Sequence, residues 1–281
     1  MTKPEISRNS QGSGVPTVPM YDAFSIDYDR FVDWDGRLAS EMPFIERQLD
    51  AASAHRVLDA ACGTGMHAIA LAKRGYEVVG ADASQGMIRE ARANAAKAGL
   101  DVQFKVVGFG ELAQTLPLAP YRGGRGGAFD AVLCLGNSLP HVLTTADLAA
   151  TLIDFAACLA PGGLLLIQNR NFDAVLADHQ RWMDPQAYQE DGTEWLFLRF
   201  YDFRSDGTLT FNVATLKRQG AGAWNQSVAS TRLRPLRRAE LRQALESQDY
   251  HSIVCFGDLR GAPFDADESP NLVVTARRTE G

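Results

Sequence analysis

The stretch Arg56-Val57-Leu58-Asp59-Ala60-Ala61-Cys62-Gly63-Thr64-Gly65, read on to Asp82 in Tyr76-Glu77-Val78-Val79-Gly80-Ala81-Asp82, constrains the fold more than any other part of the chain. A short apolar run over 56–59 predicts a strand that ends on an acid, Asp59. A glycine pair follows, then a helix over 65–74, then a second strand over 76–81 that ends on another acid. Glycine allows positive φ and lets a ligand approach the backbone. A helix N-terminus offers free N–H groups. An acid closing the second strand can accept two hydrogen bonds from a ribose diol. The unit therefore predicts a βαβ crossover that holds a nucleoside.

Charge decides which nucleoside. The dinucleotide fingerprint G-x-G-x-x-G places a pyrophosphate on the helix end. Ala68 occupies the third glycine position, which that pattern tolerates, but Asp59 stands before the loop, where it repels a pyrophosphate. An acid there suits a cofactor with a cationic group, such as the amino end of S-adenosylmethionine. An ordinary strand-to-helix turn with an acidic cap is the plain alternative, and a dinucleotide oxidoreductase is the weaker functional rival.

Alternation of strand and helix continues downstream. A helix over 84–98 opens on Ser84, and strands are expected over 102–107, 129–135 and 163–169. A helix over 145–160 ends at Pro161-Gly162-Gly163, which reads as a stop. Such alternation predicts an α/β fold with a mostly parallel central sheet and helices on both faces. Upstream, Leu38, Met42, Ile45 and Leu49 recur at helical spacing, and Tyr21, Phe24, Tyr28, Phe31 and Trp34 make an aromatic, acidic segment. After Asp173 the pattern changes. Residues 174–191 read as helical or irregular. The runs 194–203 and 208–213 alternate around Ser205-Asp206-Gly207, a hairpin signal, and 227–233 adds a further strand. This section predicts a small antiparallel β lid or subdomain. A helix over 236–248 and strands over 250–257 and 271–277 return to the main sheet. The expected domains are a flexible tail, 1–19; a cofactor-binding core with N-terminal lid helices, 20–173; the antiparallel subdomain, 174–235; and the return to the core sheet, 236–281.

With 281 residues and 46% apolar composition, the chain can bury one large core. Its net charge of -6 argues against a general nucleic-acid binder. Cys62, Cys134, Cys158 and Cys255 lack metal spacing, and reduced thiols are expected. No metal site is expected: His55, His67, His179 and His251 show no ligand spacing. Residues 1–19 lack the apolar core of a signal peptide, and no apolar run is long enough for a membrane span, so a cytoplasmic protein without a membrane partner is expected. Gly123 to Gly127, with Arg122 and Arg125, reads as a connector; it lacks the ending of a phosphate-binding P-loop. A homo-oligomer is compatible with the sequence, which does not specify one.

The 56–82 segment and Pro161-Gly162-Gly163-Leu164-Leu165 resemble the motifs of Rossmann-like class I S-adenosylmethionine-dependent methyltransferases. A narrower resemblance, to glycine and glycine/sarcosine N-methyltransferases, rests on two segments. Leu135-Gly136-Asn137-Ser138 is similar to that family's Leu-Gly-Asn-Ser. Arg170-Asn171-Phe172-Asp173 is similar to its Arg-Asn-Tyr-Asp, with Phe172 in place of tyrosine. Cys255-Phe256-Gly257-Asp258 resembles a late Gly-Asp segment more weakly. The resemblance implies an enzyme that uses S-adenosyl-L-methionine and releases S-adenosyl-L-homocysteine, with a small carboxylate-bearing acceptor. It implies that Asp59, Ala61, Gly63 and Gly65 hold the methionine part, Asp82 and Ala83 the ribose region, Met87 the adenine and Arg37 the cofactor carboxylate, with Leu135 near the methyl. Asn137 and Arg170 would bind the acceptor. Tyr21 or Tyr28 would lie by the sulfonium.

Physical chemistry supports part of this. A guanidinium after the apolar run Leu164 to Ile167 is costly unless paired, and its planar fork matches a carboxylate. A structural ion pair with Asp173 would serve equally. His141, close in sequence to Asn137, is either a general base or a supporting histidine bonded to backbone. One departure from the family is plain: Arg234-Pro235-Leu236-Arg237-Arg238 follows Thr231-Arg232-Leu233 where the family carries a tyrosine. These arginines either favour a more acidic or larger acceptor or form a solvated helix start. Two further classes fit the same core: an O- or N-methyltransferase of natural products, and a non-catalytic cofactor-binding regulator.

Overall fold

The computed structural model describes residues 19–116 and 129–280. The expected flexible tail and the Gly123 to Gly127 connector therefore lie outside the described residues, apart from the tail's last residue, Pro19. The chain opens with two helices, α1 (Pro19–Phe31) and α2 (Trp34–Ala51). The alternating section runs β1 (Arg56–Asp59), α3 (Met66–Ala72), β2 (Glu77–Asp82), α4 (Gln85–Lys97), β3 (Gln103–Val106), α5 (Leu112–Thr115), β4 (Phe129–Cys134), α6 (Thr145–Cys158) and β5 (Leu159–Arg170). Then follow α7 (Phe172–Ala177), β6 (Gln186–Glu190), β7 (Thr193–Phe203), β8 (Leu209–Gln219), β9 (Asn225–Leu233), α8 (Arg238–Glu246), β10 (Tyr250–Phe256) and β11 (Asn271–Arg278).

Seven strands form the main sheet in the order β10-β11-β5-β4-β1-β2-β3. The pairs from β5 to β3 are parallel, and β11 and β10 add antiparallel at the far edge. Period-two alternation sends successive residues to opposite faces. Leu58, Val132, Leu165 and Ile167 join one apolar core with α6 and α8. Val57, Ala131, Leu133, Leu164 and Leu166 join the other, with α2, α3 and α4. Strand order reverses beside β1, whose neighbours are β4 on one side and β2 on the other. The crevice beyond the carboxyl ends at such a point is where open α/β sheets bind ligands.

A separate four-stranded antiparallel sheet has the order β6-β7-β8-β9. The Asp206-Gly207 hairpin forms as expected, with Gly207 at φ +78° and the Arg204 N–H donating to the Thr208 carbonyl at 3.0 Å. Two local expectations are corrected. Part of 174–191 is strand β6, an edge strand too polar to show an apolar alternation. The Pro161-Gly162-Gly163 turn does not precede its strand. It lies inside β5, at the register shift between the Leu159 and Leu164 pairings to β4. No helix among the described residues is long and apolar enough to cross a membrane.

Candidate active site

Three strand ends and one helix converge on the crevice. Asp59 closes β1 and is 1% exposed. Burial, with Asp82 nearby, pushes its carboxyl up to about 7, although the Ala61 N–H opposes this. Asp82 closes β2 and accepts from the Gly63 N–H at 2.9 Å and the Ser84 N–H at 2.8 Å. Burial still raises its carboxyl to about 6. A pocket between them is lined by Asp59, Ala61, Gly63, Asp82, Met87 and Leu135, with Tyr21, Tyr28, Trp34 and Arg37 above. Ala83 lines the adjoining cavity with Val107, Phe109, His141 and Val142. Gly65 lies outside the lining of either. It takes φ +81°, and an added Cβ would stand 2.8 Å from the Phe104 ring, so packing and backbone conformation require it.

The donor set fits S-adenosylmethionine. Burial disfavours the charged form of Asp59, and a cation beside it, such as an ammonium, would offset that. Asp82 offers acceptors to a diol. Met87, Val107, Phe109 and Val142 supply apolar surface of the kind an adenine ring would need.

Helix α1 lies over this pocket because two of its acids are fastened to the cofactor loops. Asp22 accepts from Ser84 Oγ at 2.6 Å and the Gly86 N–H at 2.9 Å, capping α4. Asp29 accepts from Thr64 Oγ1 at 2.6 Å, Trp34 Nε1 at 2.8 Å and Asn94 Nδ2 at 2.8 Å. Tyr21 and Tyr28 are thereby brought together in a T-shaped contact of 6.5 Å between ring centroids. Burial raises both hydroxyls above the ordinary tyrosine range. His141 bonds the Tyr21 hydroxyl at 3.1 Å, a side-chain partner where backbone was the expected one. Burial lowers its imidazole to about 4, which keeps it neutral. Arg37 pairs with Glu41 at 3.0 Å, and Glu41 also bonds His67 Nε2 at 2.7 Å.

A third cavity, of about 370 Å³, adjoins the first on the side of the antiparallel sheet. Asn137 and Arg170 both line it. Asn137 sits at φ +64°, and its side-chain oxygen accepts the Arg170 N–H at 2.9 Å, so the two are fixed to each other. Asp173 does not pair with Arg170; it accepts the Arg238 N–H at 2.9 Å. Arg234 pairs with Glu240 and donates to Thr145 Oγ1, and Arg238 lies over the Phe264 ring. None of Arg234, Arg237 and Arg238 lines the cavity.

The cationic residue that sequence reasoning missed is Arg199. On β7 the residues Trp195, Phe197 and Tyr201 are buried at alternate positions. Arg199 shares their face, and a charge interrupting that alternation was the available signal. It lines the cavity with Tyr201 and Phe211. Asp22, Asp29 and the Glu41–His67 pair were missed as well, since their partners are remote in sequence.

Residues 57–163 match the methyltransferase-domain family. A glycine/sarcosine N-methyltransferase from Halorhodospira halochloris is 29% identical over 254 residues, covering 88% of this chain and 84% of that protein. Among solved structures, an S-adenosylmethionine-dependent methyltransferase from Clostridium acetobutylicum superposes with a TM-score of 0.69 at 16% identity, covering 92% of this chain and 99% of that one. The CcbJ methyltransferase from Streptomyces caelestis also gives 0.69, at 25% identity, covering 94% and 98%. The fold, the paired acids and these likenesses define a class I S-adenosylmethionine-dependent methyltransferase, and its cofactor is S-adenosylmethionine. Within that class the chain resembles the glycine/sarcosine N-methyltransferases.

Proposed function

We propose that the enzyme N-methylates a small amine that carries a carboxylate, with Arg170 as the carboxylate clamp. The observation that carries this is the state of Arg170. It lines the cavity beside the cofactor pocket, its Nε is buried without a partner, and its one side-chain hydrogen bond among the described residues is a long 3.5 Å contact to Gln180 Oε1. A guanidinium so placed lowers its cost by taking an anion. The glycine/sarcosine relative supports an amino-acid acceptor.

S-adenosylmethionine, when bound, supplies an electrophilic methyl group on a sulfonium. The chain's residues do the rest. Asp59 and Arg37 would hold the two ends of the amino-acid part, and Asp82 the ribose. Arg170 would fix the acceptor's acid, and the Asn137 amide would orient its amine. The amine must be neutral to attack; its lone pair forms the N–C bond as the C–S bond breaks, with the pair going to sulfur, and the product ammonium then sheds its proton to water. Tyr21 and Tyr28, which line the cofactor pocket, would stay protonated, with His141 holding the Tyr21 hydroxyl. Positioning and exclusion of water would provide most of the acceleration.

A second reading, methylation of a natural-product amine, is favoured by the size of the cavity and by the likeness to the CcbJ methyltransferase. S-adenosylhomocysteine release with glycine, sarcosine and dimethylglycine, for wild type and Arg170→Ala, tests the first. We expect turnover whose kcat/KM falls about 100-fold in the variant, with S-adenosylmethionine binding kept. Cofactor binding without turnover of any acidic amine would transfer the case to the second.

A further inference from the structure

We propose that the acceptor carries two negative charges, and that Arg199 is a second anion-binding residue beside Arg170. This rests on the reading of Arg170 as an acid clamp. Arg170 ends β5 of the main sheet, and Arg199 stands on β7 of the antiparallel sheet, so the two guanidiniums enter one cavity from different layers. Both Nε atoms are buried without a hydrogen-bond partner. Neither guanidinium has a carboxylate within ion-pair distance among the described residues. Asp33 and Glu41, which share the lining, are engaged: Asp33 accepts the Gly36 N–H at 3.1 Å, and Glu41 is held by Arg37 and His67. Asp184, the carboxylate among the described residues that acts on Arg199, is exposed and forms no ion pair with any of them.

The contact that Arg199 does make is with an aromatic face: its guanidinium carbon lies 4.7 Å from the centroid of Phe31. That covers one side of the plane and leaves its buried Nε–H unanswered. Burial and the neighbouring Arg170 both push the Arg199 guanidinium down from its ordinary range. Two like charges confined together in this way cost free energy that an anion between or across them would offset.

The charge inventory fixes how much anion. Arg37 and Glu41 answer each other, and Arg170 and Arg199 remain as two cations on the wall of one cavity, neither in an ion pair among the described residues. A neutral amine with one carboxylate matches one of them, and a second acid group matches both. Space agrees. The cavity, of about 370 Å³, is larger than the five heavy atoms of glycine require. The buried Tyr201 lies along the same wall, beside Gln168 and the half-buried Asn271, which bond each other at 3.1 Å.

The test compares acceptors that share a primary amine and differ in acid groups. These are glycine with one carboxylate, aspartate and glutamate with two, and aminomethylphosphonate with one doubly charged group. Wild type, Arg199→Gln, Arg199→Lys and a control, Arg181→Ala, are assayed for S-adenosylhomocysteine release. Arg181 is exposed, is paired with Asp202 and lies outside the cavity. We expect wild type to prefer a dianionic acceptor over glycine by at least about tenfold. Arg199→Gln should erase that preference through KM, a loss of roughly 10- to 100-fold. Arg199→Lys should restore part of it, and Arg181→Ala should leave it intact. Preference for aspartate or glutamate marks two separate carboxylates; preference for the phosphonate marks one double charge. Cofactor affinity and melting temperature of Arg199→Gln, held near wild type, show that the fold survives.

The proposal is overturned if glycine or sarcosine is the better acceptor, or if Arg199→Gln depresses mono- and dianionic acceptors alike. Either result leaves the carboxylate reading of Arg170 standing. Methylation confined to amines without an acid group overturns both.

Discussion

The cofactor side and the acceptor side of this active site are built in opposite ways. Most of the cofactor side comes from one continuous run, with Asp59, Ala61, Gly63, Asp82, Ala83 and Met87 on successive strand ends and turns of a single βαβ unit and the helix after it. The other side is gathered from α1, the ends of β4 and β5, and three strands of the antiparallel sheet, so Tyr21 and Phe211 line one cavity from across most of the chain. The cofactor side carries an excess of acid and the acceptor side an excess of base. A cationic donor and the anionic acceptor proposed above would call for that division. Helix α1 spans both sides, fastened by Asp22 and Asp29 to the cofactor loops and by Phe24 and Phe31 to Phe197 of the antiparallel sheet.

The sharpest way to break this comparison is at Asp59. Asp59→Asn removes the buried charge that an ammonium would meet, and calorimetry should show S-adenosylmethionine affinity down by roughly 100-fold or more. Retained affinity would mean that the acidic side does not select the donor. Arg170→Ala is the counterpart: acceptor KM should rise with cofactor affinity unchanged, and a loss of cofactor affinity would dissolve the division.

A pH dependence comes next in size. Asp59, held up to about 7 in the free protein, must be ionised to meet an ammonium, and Asp82, held up to about 6, must be ionised to accept both hydrogen bonds of a diol. S-adenosylmethionine affinity should therefore rise with pH through that window and level off above about 7. Binding at pH 6 should release protons, seen as a dependence of the calorimetric heat on buffer ionisation enthalpy. The same shifts act on stability with the opposite sign. Between about 4 and about 7 the folded free protein holds protons that the unfolded chain has lost, so its stability falls as pH rises through that range and is flat beyond it for these groups. Thermal melts of the free protein across pH 4 to 8 check the slope.

Asp29→Ala should have a smaller effect. It leaves Thr64, Trp34 and Asn94 without their shared acceptor, costing about 2 kcal/mol and several degrees of melting temperature, and it should weaken both ligands together because α1 serves both sides. Tyr21→Phe is the mildest. It removes the His141 bond, and kcat should drop less than about tenfold with cofactor affinity kept.

The difference in construction explains what was legible in the chain beforehand. Asp59 and Asp82 could be read because strand, turn and helix periodicities locate each strand's end without reference to anything distant. Asn137 and Arg170 were found through a local segment each, and the structure brings them together. Arg199 was passed over because it reads as one more charge in a strand until its face is known, while Arg234, Arg237 and Arg238 drew attention through clustering and turned out to serve α8 and its surroundings. The strand at Gln186–Glu190 was equally unreadable, since an edge strand needs no apolar alternation.

The sequence by itself determined the α/β core, the acidic nucleoside site and the antiparallel hairpin, because each follows from hydrogen bonding and burial within a few tens of residues. Only the tertiary structure decided which tyrosines, arginines and aromatic rings share the acceptor cavity. That choice depends on how α1 and the second sheet seat against the core, and their seating is set by contacts such as Asp29 with Asn94 and Phe24 with Phe197, whose partners lie far apart in the chain.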